Sequence, residues 1–202
     1  MRFFPFLLLL LVLVQKGHAQ EFAFEYWHDG KLVLENGDTL KGSVKYDMQT
    51  DLVQIQQDEK LETYTARKVL FVEIFDKTIQ RYRRMYSLPY NTSGEYRAPV
   101  FFALLEEGKI TLLCREAMEY RTFSSSFYYY SSYSRLTIVY KYFLLQEDGD
   151  ITAFPGNKSD WIELMRDRKD EVQKFARSNK LSYDEKYHIK RIVAYYNSLF
   201  AG

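Results

Sequence analysis

Apolar and polar residues alternate along much of the chain from Lys31 to about Phe154, which predicts a series of β-strands separated by short polar turns. Asn36-Gly37-Asp38 lies between two alternating runs and predicts a tight hairpin, because Asn and Gly accept the positive φ of such a turn. Two further hairpins are predicted at Glu106–Gly108 and at Glu147–Asp150. Gly42 predicts a bulge or a sharp bend within its strand. The pattern therefore indicates an antiparallel meander.

Two segments interrupt this alternation. SLPYNTSGEYRAP (87–99) is rich in Pro, Asn, Ser and Gly and is predicted to be a loop. FSSSFYYYSSYS (123–134) contains only serine and aromatic residues, and it follows the predicted strand KITLLCR and precedes RLTIVYKYFLL. Residues 116–134 are thus predicted to form a long link, and long loops in compact domains are either functional or mobile.

The aromatic residues of this link allow two interpretations. In one, the serine spacers make it a mobile loop with partly packed rings. In the other, the rings form a binding platform, because a Tyr ring offers a flat apolar face and a hydroxyl for hydrogen bonds. The residues of the second interpretation are Phe127, Tyr128, Tyr129, Tyr130 and Tyr133.

Helical spacing replaces strand spacing after Pro155-Gly156. Asn157 or Ser159 is expected to cap a first short helix, and Asp167 a second. Ser182 and Glu185 have the spacing of a capping box, which predicts that a third helix opens there.

Together these patterns predict an α+β fold. Its main part is an antiparallel β meander or partly closed barrel of about eight to nine strands, followed by three short C-terminal helices. We assign residues 20–156 to the β domain and residues 157–202 to a helical subdomain packed on it, since helices this short need a surface to dock on. With 47% hydrophobic and 17% aromatic residues, the chain can form a substantial core.

The first nineteen residues have the pattern of a secretory signal peptide. Arg2 is followed by an apolar run that is too short to span a bilayer, and Gly17-His18-Ala19 places small residues where a signal peptidase reads them. Cleavage is expected after Ala19, with an uncleaved N-terminal anchor as the alternative. The predicted location is periplasmic or associated with the outer envelope.

The charge balance argues against a nucleic-acid partner. Residues 1–19 carry Arg2, Lys16 and no acid, so their removal leaves 26 basic residues against 27 acids, a formal charge of −1. Nucleic-acid binding depends on clustered Lys and Arg that neutralise phosphates. No later segment is long and apolar enough to cross a bilayer, so we expect no membrane span after cleavage.

Catalytic and metal-binding patterns are missing from the sequence. Beyond the predicted signal peptide the histidines His28 and His188 are isolated, and no zinc, phosphate-loop or nucleophile-elbow motif occurs. Cys114 is the only cysteine and is expected to be a buried, inert thiol, so no intrachain disulfide can form. The chain is expected to need no cofactor. Carboxylates at the hairpin tips, such as Glu147 and Asp148, are interpreted as solvated turn residues, with glycoside hydrolysis as the alternative.

The segment LVLENGDTLKGSVKYDMQTDLVQIQ (32–56) resembles the strand–turn–bent-strand unit of small SH3-like and Sm-like barrels. In the Sm family such units bind RNA, which the charge balance and the predicted export argue against. Across its length, with NGDTLKG near the start and SDWIELMRDRKDEVQKFARSNKLS near the end, the chain resembles exported proteins of unknown function from Bacteroidetes-like bacteria. That resemblance implies an envelope location and brings no site residues with it.

A basic run, QRYRRMY (80–86), is a second candidate binding surface. Arg81, Arg83 and Arg84 could contact phosphate or an anionic glycan, because guanidinium groups donate paired hydrogen bonds. The alternative is an exposed or edge strand whose charges prevent aggregation.

Three functions remain open on the sequence. The first is a non-enzymatic, exported protein that binds an envelope partner. The second is a carbohydrate- or peptidoglycan-binding module that uses the Tyr-rich segment. The third, a hydrolase, is the least favoured, because nothing in the sequence assembles its carboxylates. The partner is therefore expected to be an envelope protein or a glycan, and the oligomeric state stays open.

Overall fold

A computed structural model describes residues 22–93, 96–124 and 132–201. The predicted signal peptide and Phe127–Tyr130 lie outside these residues. The prediction of an α+β fold with a β meander and three C-terminal helices is confirmed, with ten strands in the described residues rather than eight or nine. The strands are β1 His28–Leu34, β2 Thr39–Asp47, β3 Leu52–Gln57, β4 Lys60–Thr65, β5 Val69–Asp76, β6 Arg81–Ser93, β7 Tyr96–Glu106, β8 Thr111–Ser124, β9 Ser132–Leu145 and β10 Ile151–Phe154. The helices are α1 Lys158–Leu164, α2 Lys169–Ser178 and α3 Lys186–Ser198, with 3₁₀ turns at Ala23–Glu25 and Arg166–Arg168.

All ten strands belong to one open antiparallel sheet in the order β10-β9-β8-β7-β6-β5-β1-β2-β3-β4. β4 is an edge strand, yet the three residues 66–68 connect it to β5, four positions away in the sheet. In a flat sheet that distance is about 19 Å. The Cα atoms of Thr65 and Val69 are at most about 15 Å apart. The sheet must therefore curl strongly between β4 and β5.

Two glycines allow this curl. Gly30 and Gly42 face each other across the β1–β2 ladder. A Cβ atom on Gly42 would lie 2.3 Å from the carbonyl oxygen of Gln56, and one on Gly30 would lie 2.5 Å from that of Glu73. The register runs through the pair without a shift. Gly42 thus permits a close strand approach within a regular ladder, and the bulge offered as one of two alternatives is absent.

The β6–β7 hairpin bends across the second face of the sheet. Tyr90 of β6 and Phe143 of β9 lie on strands about 14 Å apart in a flat sheet. Their ring centroids are nevertheless 5.4 Å apart, and both rings pack edge-on against Phe102. This bend creates a small second core. Its buried members are Val100, Phe102, Leu113 and Phe143.

The prediction of a loop over residues 87–99 is wrong, because β6 extends to Ser93 and β7 begins at Tyr96. Pro89 and Pro99 face each other in the ladder. β6 pairs with β5 only as far as Tyr86, and β7 pairs with β8 only from Ala103 onward. The prolines thus lie where each strand has a partner on one side only, and there a missing N–H group is tolerated.

The prediction of a long link over residues 116–134 is also wrong. β8 and β9 stay paired from Thr111–Leu145 out to Ser124–Ser132, so residues 116–124 and 132–134 belong to strands, and residues 125–131 lie outside the described part of the chain. The sequence does not predict this strand pair because its serine and aromatic residues do not alternate strictly. Alternation is not needed there, since both faces of the pair are largely exposed near its end.

The helices cover the face of the sheet opposite the second core. Trp161 of α1 is fully buried and packs on Tyr142 and Phe154, with centroids 5.4 and 4.5 Å apart. Ile189 and Ile192 of α3 join the same large cluster as the inner residues of β1–β5. The curled strands and the helices therefore share one core.

The helix start predicted at Ser182 is wrong, because α3 begins at Lys186 after the N-cap residue Glu185. The Ser182 hydroxyl instead accepts a hydrogen bond from the backbone N–H of Asp184, at 3.1 Å. This local turn uses the group that a capping box would need. Asn157, one of the two predicted caps of the first helix, does cap α1, and its backbone N–H donates to Asp160 at 3.0 Å. The cap predicted at Asp167 is wrong, because the N-cap residue of α2 is Arg168.

Candidate functional site

Four charged side chains meet under α3, and we call them, together with Tyr46, the ion cluster. The Arg83 guanidinium donates to Glu116 at 2.6 Å, to Asp76 at 3.1 Å and to the Tyr46 hydroxyl. Lys186, the first residue of α3, donates to the same Glu116 oxygen at 3.3 Å. The side chains of all four charged residues are at least nine-tenths buried. Two acids and two bases balance, so the cluster is electrically neutral.

The surroundings shift the pKa values of these groups in opposite directions. Burial lowers the pKa of Lys186, and the positive charge of Arg83 lowers it further, although Glu116 opposes both. Burial also acts to lower the pKa of Arg83, but Tyr46, Glu116 and Asp76 outweigh it and the net change is upward. Burial raises the pKa of Asp76, yet hydrogen bonds from Thr78 and Arg83 bring it below its usual value. Arg83 is therefore a permanent cation that joins β5, β6 and β8.

Cys114, next to this cluster, is fully buried as predicted. Burial raises the pKa of its thiol to about 12, so the nucleophilic thiolate is scarce near neutral pH. Within residues 22–93, 96–124 and 132–201, no group of three or more His, Cys, Asp or Glu side chains is arranged to hold a metal ion. The cluster is thus best described as an electrostatic contact between sheet and helix.

The structure separates the three arginines of the basic run. Arg83 is buried in the ion cluster, whereas Arg84 faces the opposite side of β6 and binds Glu73 at 2.5 Å. Arg81 lies over the Tyr187 ring, 5.2 Å from its centroid. β6 lies between β5 and β7 in the sheet order, but Arg81–Arg84 pair with β5 only, so the interpretation as an edge strand holds for this part of the basic run. Two buried partners of Arg83, Tyr46 and Glu116, are 37 and 33 positions away in the chain, and a local pattern could not reveal them.

The outer part of the β8–β9 hairpin presents a different surface, which we call the ribbon patch: Arg121, Phe123, Tyr133 and Arg135. Arg121 faces Arg135 across the ladder, and Phe123 faces Tyr133, so all four side chains leave the same face. The Phe123 and Tyr133 rings stack with centroids 5.7 Å apart, and the Arg135 guanidinium lies 4.6 Å from the Phe123 centroid. Tyr133 is 55% exposed. The patch combines two positive charges with two rings.

The charges of the ribbon patch are uncompensated within the described part of the chain. No salt bridge there involves Arg121 or Arg135, whereas Glu119, two residues from Arg121 along β8, binds Lys141 of β9 at 3.3 Å. Like charges directly opposite each other destabilise strand pairing. An anion bound between the two guanidinium groups would remove that repulsion.

The base of the hairpin is held firmly. Arg115 donates to the Asp51 carboxylate at 2.8 Å and to the backbone carbonyl of Phe101 at 2.7 Å. Asp51 also accepts from the backbone N–H of Phe101 at 2.8 Å. These bonds replace ladder bonds where β7 and β8 diverge beyond Ala103 and Cys114. The outer strands therefore extend from a fixed anchor.

Of the predicted aromatic platform, the structure describes Tyr133 alone. Tyr133 faces Phe123 of β8, whereas Arg83 binds Glu116 of the same strand. Phe123 and Glu116 are seven residues apart along β8, which corresponds to about 23 Å. The two predicted surfaces are hence separate. Arg121 and Arg135 were missed, although a signal was present: RTF (121–123) and YSR (133–135) flank the serine-rich segment symmetrically.

No helix among the described residues is long and apolar enough to cross a membrane. A scan against protein-family models, a search of curated proteins and a search of solved structures find no match to the chain. The resemblances noted in the sequence therefore stay predictions, and the function has to be argued from the geometry.

Proposed function

We propose that this chain is a non-enzymatic, exported binding protein of the cell envelope and that the ribbon patch holds an acidic glycan. The observation that carries the proposal is the pair Arg121 and Arg135, which face each other beside two stacked rings without an ion-pair partner among the described residues. The signal-peptide pattern of residues 1–19 supports the location.

The chemistry of the patch matches a sugar that carries a carboxylate or phosphate. Guanidinium groups donate paired, charge-assisted hydrogen bonds to such anions. The exposed Tyr133 ring offers an apolar face and a hydroxyl, as a sugar ring with C–H and O–H groups requires. Arg135 is already placed by its contact with Phe123, so less side-chain entropy is lost when the ligand binds.

The serine and aromatic residues 125–131 connect the two strands of this patch. They include Phe127, Tyr128, Tyr129 and Tyr130, the predicted platform. Because they follow directly on Ser124 and precede Ser132, they adjoin the ribbon patch in the chain. We include them in the proposed contact surface on the basis of sequence alone.

The test is a glycan array that contains uronate-bearing, phosphorylated and neutral sugars. We expect the intact protein to bind acidic glycans, and the double variant Arg121→Gln/Arg135→Gln to bind them at least about ten-fold more weakly, because two charge-assisted hydrogen bonds are lost. Raising the salt concentration should weaken binding by the intact protein.

The matched control is Arg166→Gln/Arg168→Gln, which removes the same charge from two arginines of the helical region that each pair with a nearby glutamate. This control should bind like the intact protein. Equal losses in both variants, or silence of the array with the intact protein, would overturn the proposal. Cross-linking of the patch to an envelope protein in place of a glycan would overturn the assignment of the ligand.

A further inference from the structure

A gap in the sheet lies between the start of β6 and the end of β7, away from the ribbon patch. Arg81–Arg84 pair with β5 on one side, but the ladder between β6 and β7 begins only at Met85–Ala103. On the far side of the gap, Leu104 and Glu106 pair with β8. Each of these two strand segments therefore has one partner strand instead of two. We call the space between them the β6–β7 notch.

The β6–β7 notch contains a cavity of about 530 Å³. One wall consists of Glu73, Tyr82 and Arg84, the other of Leu104, Leu105, Glu106 and Glu107, and Lys190 of α3 completes the lining. A cavity of this size is within the range of ligand-binding sites. Tyr82, one of the lining residues, is 73% exposed, so the notch is accessible from solvent.

The side of Arg81–Arg84 that has no partner strand indicates the kind of ligand that the notch can bind. Strand edges leave backbone N–H and C=O groups without a ladder partner, and an extended peptide satisfies them by adding a strand. An extended peptide backbone repeats its donors and acceptors at the spacing of a strand, so it can pair along all four residues.

The charged side chains that line the notch determine which residue the bound peptide should carry. Arg84 is engaged by Glu73, which Lys31 also binds at 2.9 Å. Glu106 and Glu107 take part in no salt bridge among the described residues. Burial raises the pKa of Glu106, and Lys190 only partly opposes this. A cation on the ligand beside Glu106 would relieve this unfavourable environment.

We propose that the β6–β7 notch binds an extended peptide segment of a partner protein, which pairs with Arg81–Arg84 of β6 and places a basic side chain against Glu106 and Glu107. This site is distinct from the ribbon patch and takes a different class of ligand. The protein thus has two separate binding surfaces, one for an acidic glycan and one for a basic, extended peptide.

The probe is a fluorescein-labelled peptide of alternating Thr and Val with one central Lys, added to the full chain. We expect it to bind, and we expect a version with central Glu to bind at least about ten-fold more weakly, because it faces two carboxylates. A version with Pro next to the central Lys loses a backbone donor and should bind roughly five-fold more weakly.

The variant Glu106→Gln/Glu107→Gln should lose the preference for Lys over Glu. Its matched control is Glu147→Gln/Asp148→Asn, which removes two carboxylates from the β9–β10 turn and should keep that preference. Amide hydrogen exchange reads out the pairing itself: the Lys peptide should slow exchange within residues 81–84. The variant Arg121→Gln/Arg135→Gln should bind the peptide normally, since the ribbon patch is not involved.

Absence of binding by every peptide of the set would overturn the inference. So would binding that leaves exchange within residues 81–84 unchanged. A preference for Lys that survives in Glu106→Gln/Glu107→Gln would refute the assignment of these two acids.

Discussion

Arg83 and Arg84 are adjacent in sequence, yet alternation along β6 gives them opposite environments. Arg83 is buried among Asp76, Glu116 and Tyr46, whereas the Arg84 side chain is 60% exposed beside Glu73. A buried ion pair contributes little net stability when intact, but removing one partner leaves an uncompensated charge in the core. An exposed pair contributes much less.

We therefore expect Arg83→Met to lower the free energy of unfolding by about 3–5 kcal/mol. Arg84→Met removes the same charge with the same change in side chain and should cost roughly 0–1 kcal/mol. Urea unfolding followed by far-UV circular dichroism measures both. Similar losses in the two variants would mean that the ion cluster does not stabilise the fold as described.

At the scale of strands, Gly42 is the residue on which the curl of the sheet depends most directly. The carbonyl oxygen of Gln56 in β3 lies where a Cβ atom would stand, at 2.3 Å, and it belongs to the backbone, so it cannot move aside as a side chain would. Any larger residue must push β2 and β3 apart.

Gly42→Ala should therefore lower the free energy of unfolding by about 1–3 kcal/mol, as other overpacked positions do. Ser43→Ala, the next residue in β2, is the control and should change stability by no more than about 0.5 kcal/mol. Differential scanning calorimetry gives both values. If Gly42→Ala were as stable as the unchanged protein, the close approach of β2 and β3 could not be a constraint on the fold.

The elements differ in how well sequence alone predicted them. Asn36-Gly37-Asp38 and the helix cap Asn157 act through contacts with residues two or three positions away, and both were predicted. Pro89 and Pro99 argued locally against strands, and so did Ser124, Ser132 and Ser134. They lie in strands because two-stranded hairpins tolerate missing donors and exposed faces, a property of the sheet order that local composition does not encode.

The same distinction applies to the candidate sites. Tyr133 belonged to a segment whose composition made it conspicuous, and the structure places it in the ribbon patch. The notch arises where one ladder stops at Met85–Ala103, and the ion cluster joins residues 70 positions apart along the chain. Such features depend on long-range pairing, for which a single sequence carries no local signal.

At the scale of the whole molecule, the β strands and the helices share a core. Trp161 of α1 is enclosed by Tyr142 and Phe154, and its indole N–H donates to the carbonyl of Gly156 at 2.9 Å. Lys186 of α3 is bound to Glu116 of β8. The apolar side chains of the sheet face and of these short helices are buried against each other, and separation would expose both sets to water. The unfolding of sheet and helices should therefore be coupled.

This coupling can be measured with Trp161. The chain has two tryptophans, and Trp27 is 36% exposed, so Trp27→Phe leaves Trp161 as the reporter of helix docking. In urea, its fluorescence and the far-UV circular dichroism signal of the strands should change at the same midpoint, because loss of α1 uncovers the core on which β9 packs. A fluorescence midpoint at clearly lower urea would instead make the helical region a separately unfolding unit. The shared core argues against that outcome, since Ile189, Ile192 and Leu112 belong to one continuous cluster.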